Sequence, residues 1–213
     1  MQDRQFSFFD RIVGELDTAL RTVGAPAQPQ SPNPAGPGNA QELSETEARE
    51  AACLMRVNHA GEVAAQALYR GQALMTRDPE FRRQLLRAAG EEYDHLAWCE
   101  ERVRELGERT SVMAPIWYGG SFAIGALTGL VGDRASLGFL AETEKQVAEH
   151  LGGHLRRLPA ADTRSRRILE RMHRDEVDHG EAAIQAGGSA LPKTVQSLMR
   201  ATARIMTSVS YWV

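Results

Sequence analysis

Apolar side chains recur along most of this chain at intervals of three and four residues, the spacing of one helix face. No convincing strand-like alternation appears. Within residues 6–23 the apolar positions Phe8, Phe9, Ile12, Val13, Leu16, Leu20 and Val23 share one face. The spacing predicts an amphipathic helix over 1–24, packed on the main body; a membrane surface or a partner is the competing use. Residues 25–42 hold five of the nine prolines and no aromatic residue, which predicts a flexible, partly extended Pro-rich linker. The main domain, 43–213, opens on a capping-box pattern at Ser44 and Glu47, with Leu43 placed for a hydrophobic staple. A helix is expected from about Glu45 to Met75. Asp78 as N-cap and Pro79 at the first position start the next, which ends near Leu106 and Gly107. A third lies within 113–131. Gly132 and Asp133 serve as stop and new N-cap, a fourth runs to about Leu158, and a fifth ends at Gly187 and Gly188. A last begins near Pro192, with Val195, Leu198, Met199, Thr202, Ile205, Met206 and Val209 on one face. The fold is expected to be all-α.

Bulk properties narrow the field only a little. The 213 residues suit one globular domain plus an appendage. A net charge of −3 gives no electrostatic basis for nucleic-acid binding. Cys53 and Cys99, the two cysteines, form no C-x-x-C pair, which argues against a disulfide scaffold or thiolate zinc site and suits a reducing cytoplasm. The first residues include Asp3, Asp10, Glu15 and Asp17 and lack a signal-peptide core.

The chemistry lies in a repeat. Glu92-Tyr93-Asp94-His95 and Glu176-Val177-Asp178-His179 are each E-x-x-H, which puts a carboxylate and an imidazole on one helix face. Glu62 stands 30 residues before Glu92, and Glu144 stands 32 before Glu176, each on its own helical stretch. Counting down one helix and back up the next at about 1.5 Å per residue brings each pair of acids level in an antiparallel hairpin. Three of the four site acids also interrupt an apolar stripe. Glu92 falls with Leu85, Ala88, Ala89, Leu96, Cys99 and Val103; Glu144 with Leu137, Leu140, Ala141, Val147, Ala148, Leu151 and Leu155; Glu176 with Leu169, Met172, Gly180 and Ala183. The face of Glu62 is mixed, carrying Met55, Ala65 and Tyr69 but also His59 and Gln66. Buried unpaired carboxylates cost several kcal/mol or neutralise. A shared metal pair compensates all of them at once, and carboxylate with imidazole suits iron or manganese. The expected ligands are Glu62, Glu92, His95, Glu144, Glu176 and His179, in a bundle of two facing hairpins related by pseudo-twofold symmetry. Bridging by Glu92 and Glu176, with Glu62 and Glu144 terminal, follows the general di-iron pattern.

Other polar residues weigh less. His59 is either a hydrogen-bond partner of Glu62 or structural. His150 and His154 lie off the Glu144 face and read as polar-face residues. Asp94, Asp175 and Asp178 either orient the imidazoles or face solvent. Arg82, Arg83, Arg156, Arg157, Arg164, Arg166 and Arg167 read as solvated surface, contact with lipid head groups being the alternative.

Residues 113–132 contain no charged side chain and approach the length of a membrane span. Five glycines, and the need for the following helix to rejoin the same bundle, favour a crossover between hairpins instead. Its surplus apolar surface, with Trp117, Tyr118, Phe122, Leu127 and Leu130, is read as a monotopic membrane contact, the alternative being burial against the C-terminal helix.

At Arg56-Val57-Asn58-His59-Ala60-Gly61-Glu62, Tyr69-Arg70-Gly71-Gln72, Glu91 to His95, Glu142-Thr143-Glu144 and Asp175 to His179, the chain resembles the demethoxyubiquinone hydroxylase family of ubiquinone biosynthesis over about 42–213. Asn58 stands where animal members carry Asp, at a position that is not a ligand. The resemblance implies a ferritin-like bundle with the same six ligands, holding two iron ions and using O2 as co-substrate. It implies hydroxylation of a prenylated demethoxyubiquinol to demethylubiquinol, with ubiquinone-biosynthesis proteins as candidate partners; the uncharged crossover adds the expectation of a peripheral position on the cytoplasmic side of the cell membrane. No Rossmann-type glycine fingerprint follows a strand, so reducing equivalents come from the quinol or an external donor. The competing functions are a ferritin-like iron-oxidising or storage protein, a related hydroxylase acting on tRNA, and a non-enzymatic helical membrane adaptor.

Overall fold

A computed structural model describes residues 7–37 and 42–213; the parts of the predicted N-terminal helix at 1–6 and of the linker at 38–41 lie outside them. Seven helices are described and no strand: α1 (Phe8–Gly24), α2 (Glu45–Met75), α3 (Pro79–Glu105), α4 (Ala114–Val131), α5 (Asp133–Arg157), α6 (Thr163–Gln185) and α7 (Lys193–Trp212). Local chemistry sets these boundaries. Ser44 and Glu47 form the capping box of α2. Asp78 accepts hydrogen bonds from the Glu80 and Phe81 amides ahead of α3. Gly107 and Gly187 adopt positive φ where α3 and α6 stop. One expectation shifts: Asp133 is the first residue of α5 and not its cap, and its carboxylate accepts from Thr76 Oγ1 at 2.7 Å, pinning α5 to the end of α2.

The two hairpins, α2–α3 and α5–α6, face each other around a three-layered interior. One apolar layer gathers Leu54, Met55, Trp98, Val103, Leu151 and Leu169. Another gathers Tyr69, Phe81, Leu85, Leu137, Leu140 and Ala183. In all four helices the predicted ligands fall between these layers along the chain. The fold therefore seals the site above and below with hydrocarbon.

The crossover helix α4 lies along α2 and not against α7. Backbone approaches backbone there: a Cβ on Gly125 would sit 2.1 Å from the Leu68 carbonyl oxygen, and one on Gly71 would sit 2.2 Å from that of Phe122. Two of the glycines that dilute the hydrophobicity of α4, Gly125 and Gly129, are residues that let it seat. Its outer face exposes Ile116, Leu127, Leu130 and Val131.

Helix α1 reverses the usual polarity. It does rest on the body, but through its polar side: Glu15 pairs with Arg70 at 2.6 Å, and Thr22 Oγ1 donates to Gln66 at 2.7 Å. Of its apolar set Val23 packs inward, beside Ala19, against Tyr118 and its neighbours, and Ile12 is half-buried. Phe9, Val13, Leu16 and Leu20 point outward.

The Pro-rich segment is docked, contrary to the flexible reading. Ala27 N–H donates to Glu100, Gln30 and Ser31 N–H donate to Asp94, and Asn33 donates to Glu101. Ala35 is buried, and its carbonyl and that of Gly36 accept from Arg167 and Arg164. Proline removes donors from a segment but leaves its carbonyls and remaining amides free to bond a neighbouring helix. Arg164 and Arg167, read as solvated surface, thus tie elements together, while Arg83 and Arg156 are exposed as expected. Arg157 likewise pairs with Glu50 at 2.7 Å.

Candidate metal centre

Each site acid is carried by a different helix, and each is buried: Glu62 on α2 is 2% exposed, and Glu92, Glu144 and Glu176 on α3, α5 and α6 are 0–1% exposed. Glu62, whose face was mixed in sequence, lies as deep as the others because His59 and Gln66 are buried with it. One ligand atom from each of Glu62, Glu92, His95 and Glu176 lies within 4.8 Å of the others. His95 Nδ1 stands 3.2 Å from Glu92, 3.3 Å from Glu176 and 3.9 Å from Glu62. Glu144 and His179 border this tight group without joining it. His179 Nδ1 is 3.2 Å from Glu92 and 3.8 Å from Glu176, while Glu144 accepts from the Tyr69 hydroxyl.

The two imidazoles are held reciprocally across the hairpins. His95 Nε2 meets Asp175 at 3.1 Å, and His179 Nε2 meets Glu91 at 2.6 Å. The acid directly preceding each E-x-x-H therefore grips the histidine of the other repeat, which turns both Nδ1 atoms toward the centre. Asp175 was among the orienting candidates. Glu91 was missed, although an acid in the same place before both repeats was its signal. Asp94 binds the Pro-rich segment instead, and Asp178 is exposed.

Burial, followed by the carboxylates of Glu176 and Glu92, pushes Glu62 and Glu144 well above the ordinary carboxyl range. Burial also acts upward on Glu92, but bonds from His179 and His95 outweigh it and hold that carboxyl low. Both imidazoles are disfavoured as cations by burial, yet the surrounding carboxylates push them strongly up. Protons thus share this pocket of negative charge.

Several buried atoms here lack a hydrogen bond of proper geometry: Oε2 of Glu62, Oε1 of Glu92, Oε2 of Glu144, both carboxylate oxygens of Glu176 and Nδ1 of His179. Such orphans are costly unless something else satisfies them. Hard oxygen donors with two nitrogens, converging from four helices, fit cations of the iron or manganese type. A buried Glu/His cluster able to hold metal is therefore present.

His59 and His154 stand outside the tight group. His59 Nδ1 has no hydrogen-bond partner among the described residues, and burial pushes its pKa down to about 4. His154 is buried, not on a polar face: its Nδ1 lies 2.8 Å from Asn58 Oδ1 and its ring 4.0 Å from that of His150. Burial, with His150 beside it, takes its pKa down to about 3. A carboxamide between α2 and α5 accounts for what the helix wheel placed outside.

Two cavities adjoin the centre. One, of about 240 Å³, opens on the imidazole side between His95, His179, Asp175 and Glu91, with Ser31 of the docked segment at its wall. The other, of about 800 Å³, runs between α5 and α6 past Gly138, Ala141, Ala148 and Gly180 and reaches Glu176.

Comparison with known proteins gives a consistent result. A family model described as ubiquinone biosynthesis protein COQ7 matches residues 49–210. A protein of Nitrosococcus oceani is 52% identical over 214 residues, covering all of both chains. Proteins of Ralstonia pickettii and Cupriavidus necator are each 53% identical, over 95% of this chain and 98% and 99% of theirs. All three are named 3-demethoxyubiquinol 3-hydroxylase.

Proposed function

The chain belongs to the ubiquinone biosynthesis protein COQ7 family, a family of ferritin-like helical bundles, and on that premise we propose a di-iron monooxygenase. It catalyses the ring hydroxylation that converts a prenylated demethoxyubiquinol to demethylubiquinol. The observation that carries this reading is the converging set of orphaned, buried carboxylate oxygens, with the orphaned Nδ1 of His179, between two apolar layers. Storage protein and adaptor are not favoured: an adaptor has no use for uncompensated acids at 0–2% exposure.

Glu62, Glu92, His95, Glu144, Glu176 and His179 are the proposed ligands. Two iron ions held there would supply positions for O2 and pass on the electrons its reduction needs, which come in turn from the quinol or an external donor. The protein's own contributions are positional. Asp175 and Glu91 fix the tautomer and direction of the two imidazoles. The apolar layers exclude water, which strengthens every charge interaction inside. The carboxylates give up their protons as cations bind, so loading releases protons and strengthens with pH.

A peripheral position on the cytoplasmic side of the cell membrane completes the reading. Among the described residues α4 is the one helix long and apolar enough to cross a membrane, and little of it is buried. It lies flat along α2, so its exposed apolar face is better placed to rest in one leaflet than to span. The outward Phe9, Val13, Leu16 and Leu20 of α1 supply a second apolar face.

Quinone profiling of a host lacking the activity tests the assignment. Demethoxyubiquinone should accumulate, with rescue by the wild type and not by Glu144→Ala. Unchanged quinones exclude the function. Fewer than one iron per chain after anaerobic reconstitution excludes the centre.

A further inference from the structure

The internal repeat pairs Glu62 with Glu144 as equivalent acids, but the structure treats them differently. Tyr69 follows Glu62 by seven residues, two turns along the same face of α2. Its ring is fully buried, walled by Ala65, Ala73, Leu85 and Leu137. Its hydroxyl crosses to the other hairpin and donates to Oε1 of Glu144. Oε2 of the same carboxylate is buried with no hydrogen-bond partner. The two oxygens are therefore unequal, one engaged and one free.

The position equivalent to Tyr69 in the second half is Leu151, seven residues after Glu144. Leu151 is buried in the other apolar layer and has no hydroxyl to give. Glu62 thus lacks the phenol that Glu144 has.

We propose that Tyr69 is a positioning residue that reserves one oxygen of Glu144 and aims the other at one of the two metal positions. The consequence, which rests on the dinuclear reading above, is that the two positions are not equivalent. The one served by Glu144 depends on a bond made across the hairpins, and the one served by Glu62 does not.

The test is anaerobic titration of the purified full-length apoprotein with cobalt(II), followed by its visible absorption, alongside Tyr69→Phe. The wild type should take up two ions in two resolvable steps. In the variant one step should weaken by about 10- to 100-fold, the range for loss of a partner that orients a ligand, with the other unchanged. Neither step moving, or both moving together, overturns the proposal; a general loosening of the fold would move both. If the wild type binds fewer than two ions, the dinuclear reading has failed and not the assignment of Tyr69. Should Tyr69→Phe fail to fold, carbon-13 NMR of the ring carbon bearing the hydroxyl reads the bond in the wild type, which has four tyrosines. The buried, hydrogen-bonded tyrosine signal should persist from the apoprotein to the zinc-loaded form. Its absence from the apoprotein, or its loss on loading, refutes the proposal.

Discussion

Replacing Gly125 with alanine isolates the contact that seats α4. In an open helix this change stabilises by about 1 kcal/mol, because alanine is the better helix former. Here the added Cβ would lie 2.1 Å from the Leu68 carbonyl oxygen, 2.9 Å from its carbon and 3.1 Å from the Gln72 nitrogen. These are backbone atoms of α2 and cannot swing aside. Reaching even a 3.0 Å contact requires the helices to part by about 0.9 Å, enough to forfeit a quarter to a half of the dispersion well for atoms that were touching. Overpacking costs about 1–3 kcal/mol, and a rigid backbone neighbour puts this site at the upper end. Subtracting the propensity gain leaves a net loss of about 2 kcal/mol, or ~4–8 °C in Tm for a chain of this size. Gly119→Ala is the control, since nothing lies within 4 Å of its Cβ position. It should be neutral or stabilising by up to about 1 kcal/mol. Denaturant unfolding of the three proteins decides the matter. If Gly125→Ala equals or exceeds the wild type in stability, the close approach of α4 to α2 is wrong.

Three further outcomes follow from the same interactions. The metal-free protein should lose stability as pH rises. Glu62 and Glu144 are raised above an ordinary 4.5 and His95 and His179 above an ordinary 6.5, so native protons are held that the unfolded chain has released. Melting temperature should therefore fall from about pH 6 to about pH 9 in the apoprotein and less steeply, or not at all, once metal is bound; an apoprotein that gains stability over that range contradicts the charge balance. Arg56 is buried and donates to the carbonyls of Arg109 and Tyr211 and to Glu108. Arg56→Met keeps the volume but strands these acceptors and should cost about 2–3 kcal/mol in a guanidinium melt, whereas a loss under about 0.5 would show the network to be idle. Asp94→Ala removes the acceptor for Gln30 and Ser31. About 2 kcal/mol of docking lost should speed limited proteolysis within 25–37 by roughly 30-fold, and an unchanged cleavage rate would mean that the segment is held by other contacts.

Much of this molecule is a consequence of short-range sequence pattern. The helix boundaries follow from caps and glycines, and the apolar stripes around Glu92, Glu144 and Glu176 place those acids inside before any packing is known. Hairpin arithmetic levels them because helical rise is uniform. These features depend on neighbours within a few residues, so one chain suffices to read them. What depends on the partner across an interface could not be read. A helical wheel gives which side chains share a face but not which face the fold uses, so α1 binds through its polar side and His154 lies within. Composition reports that residues 25–37 cannot build a core, not that α3 and α6 offer them donors and acceptors. The repeat specifies two equal halves; tertiary structure makes them unequal, because Tyr69 of one hairpin reaches Glu144 of the other while its counterpart is Leu151. Periodicity decides what each helix offers, and only the assembled bundle decides what meets it.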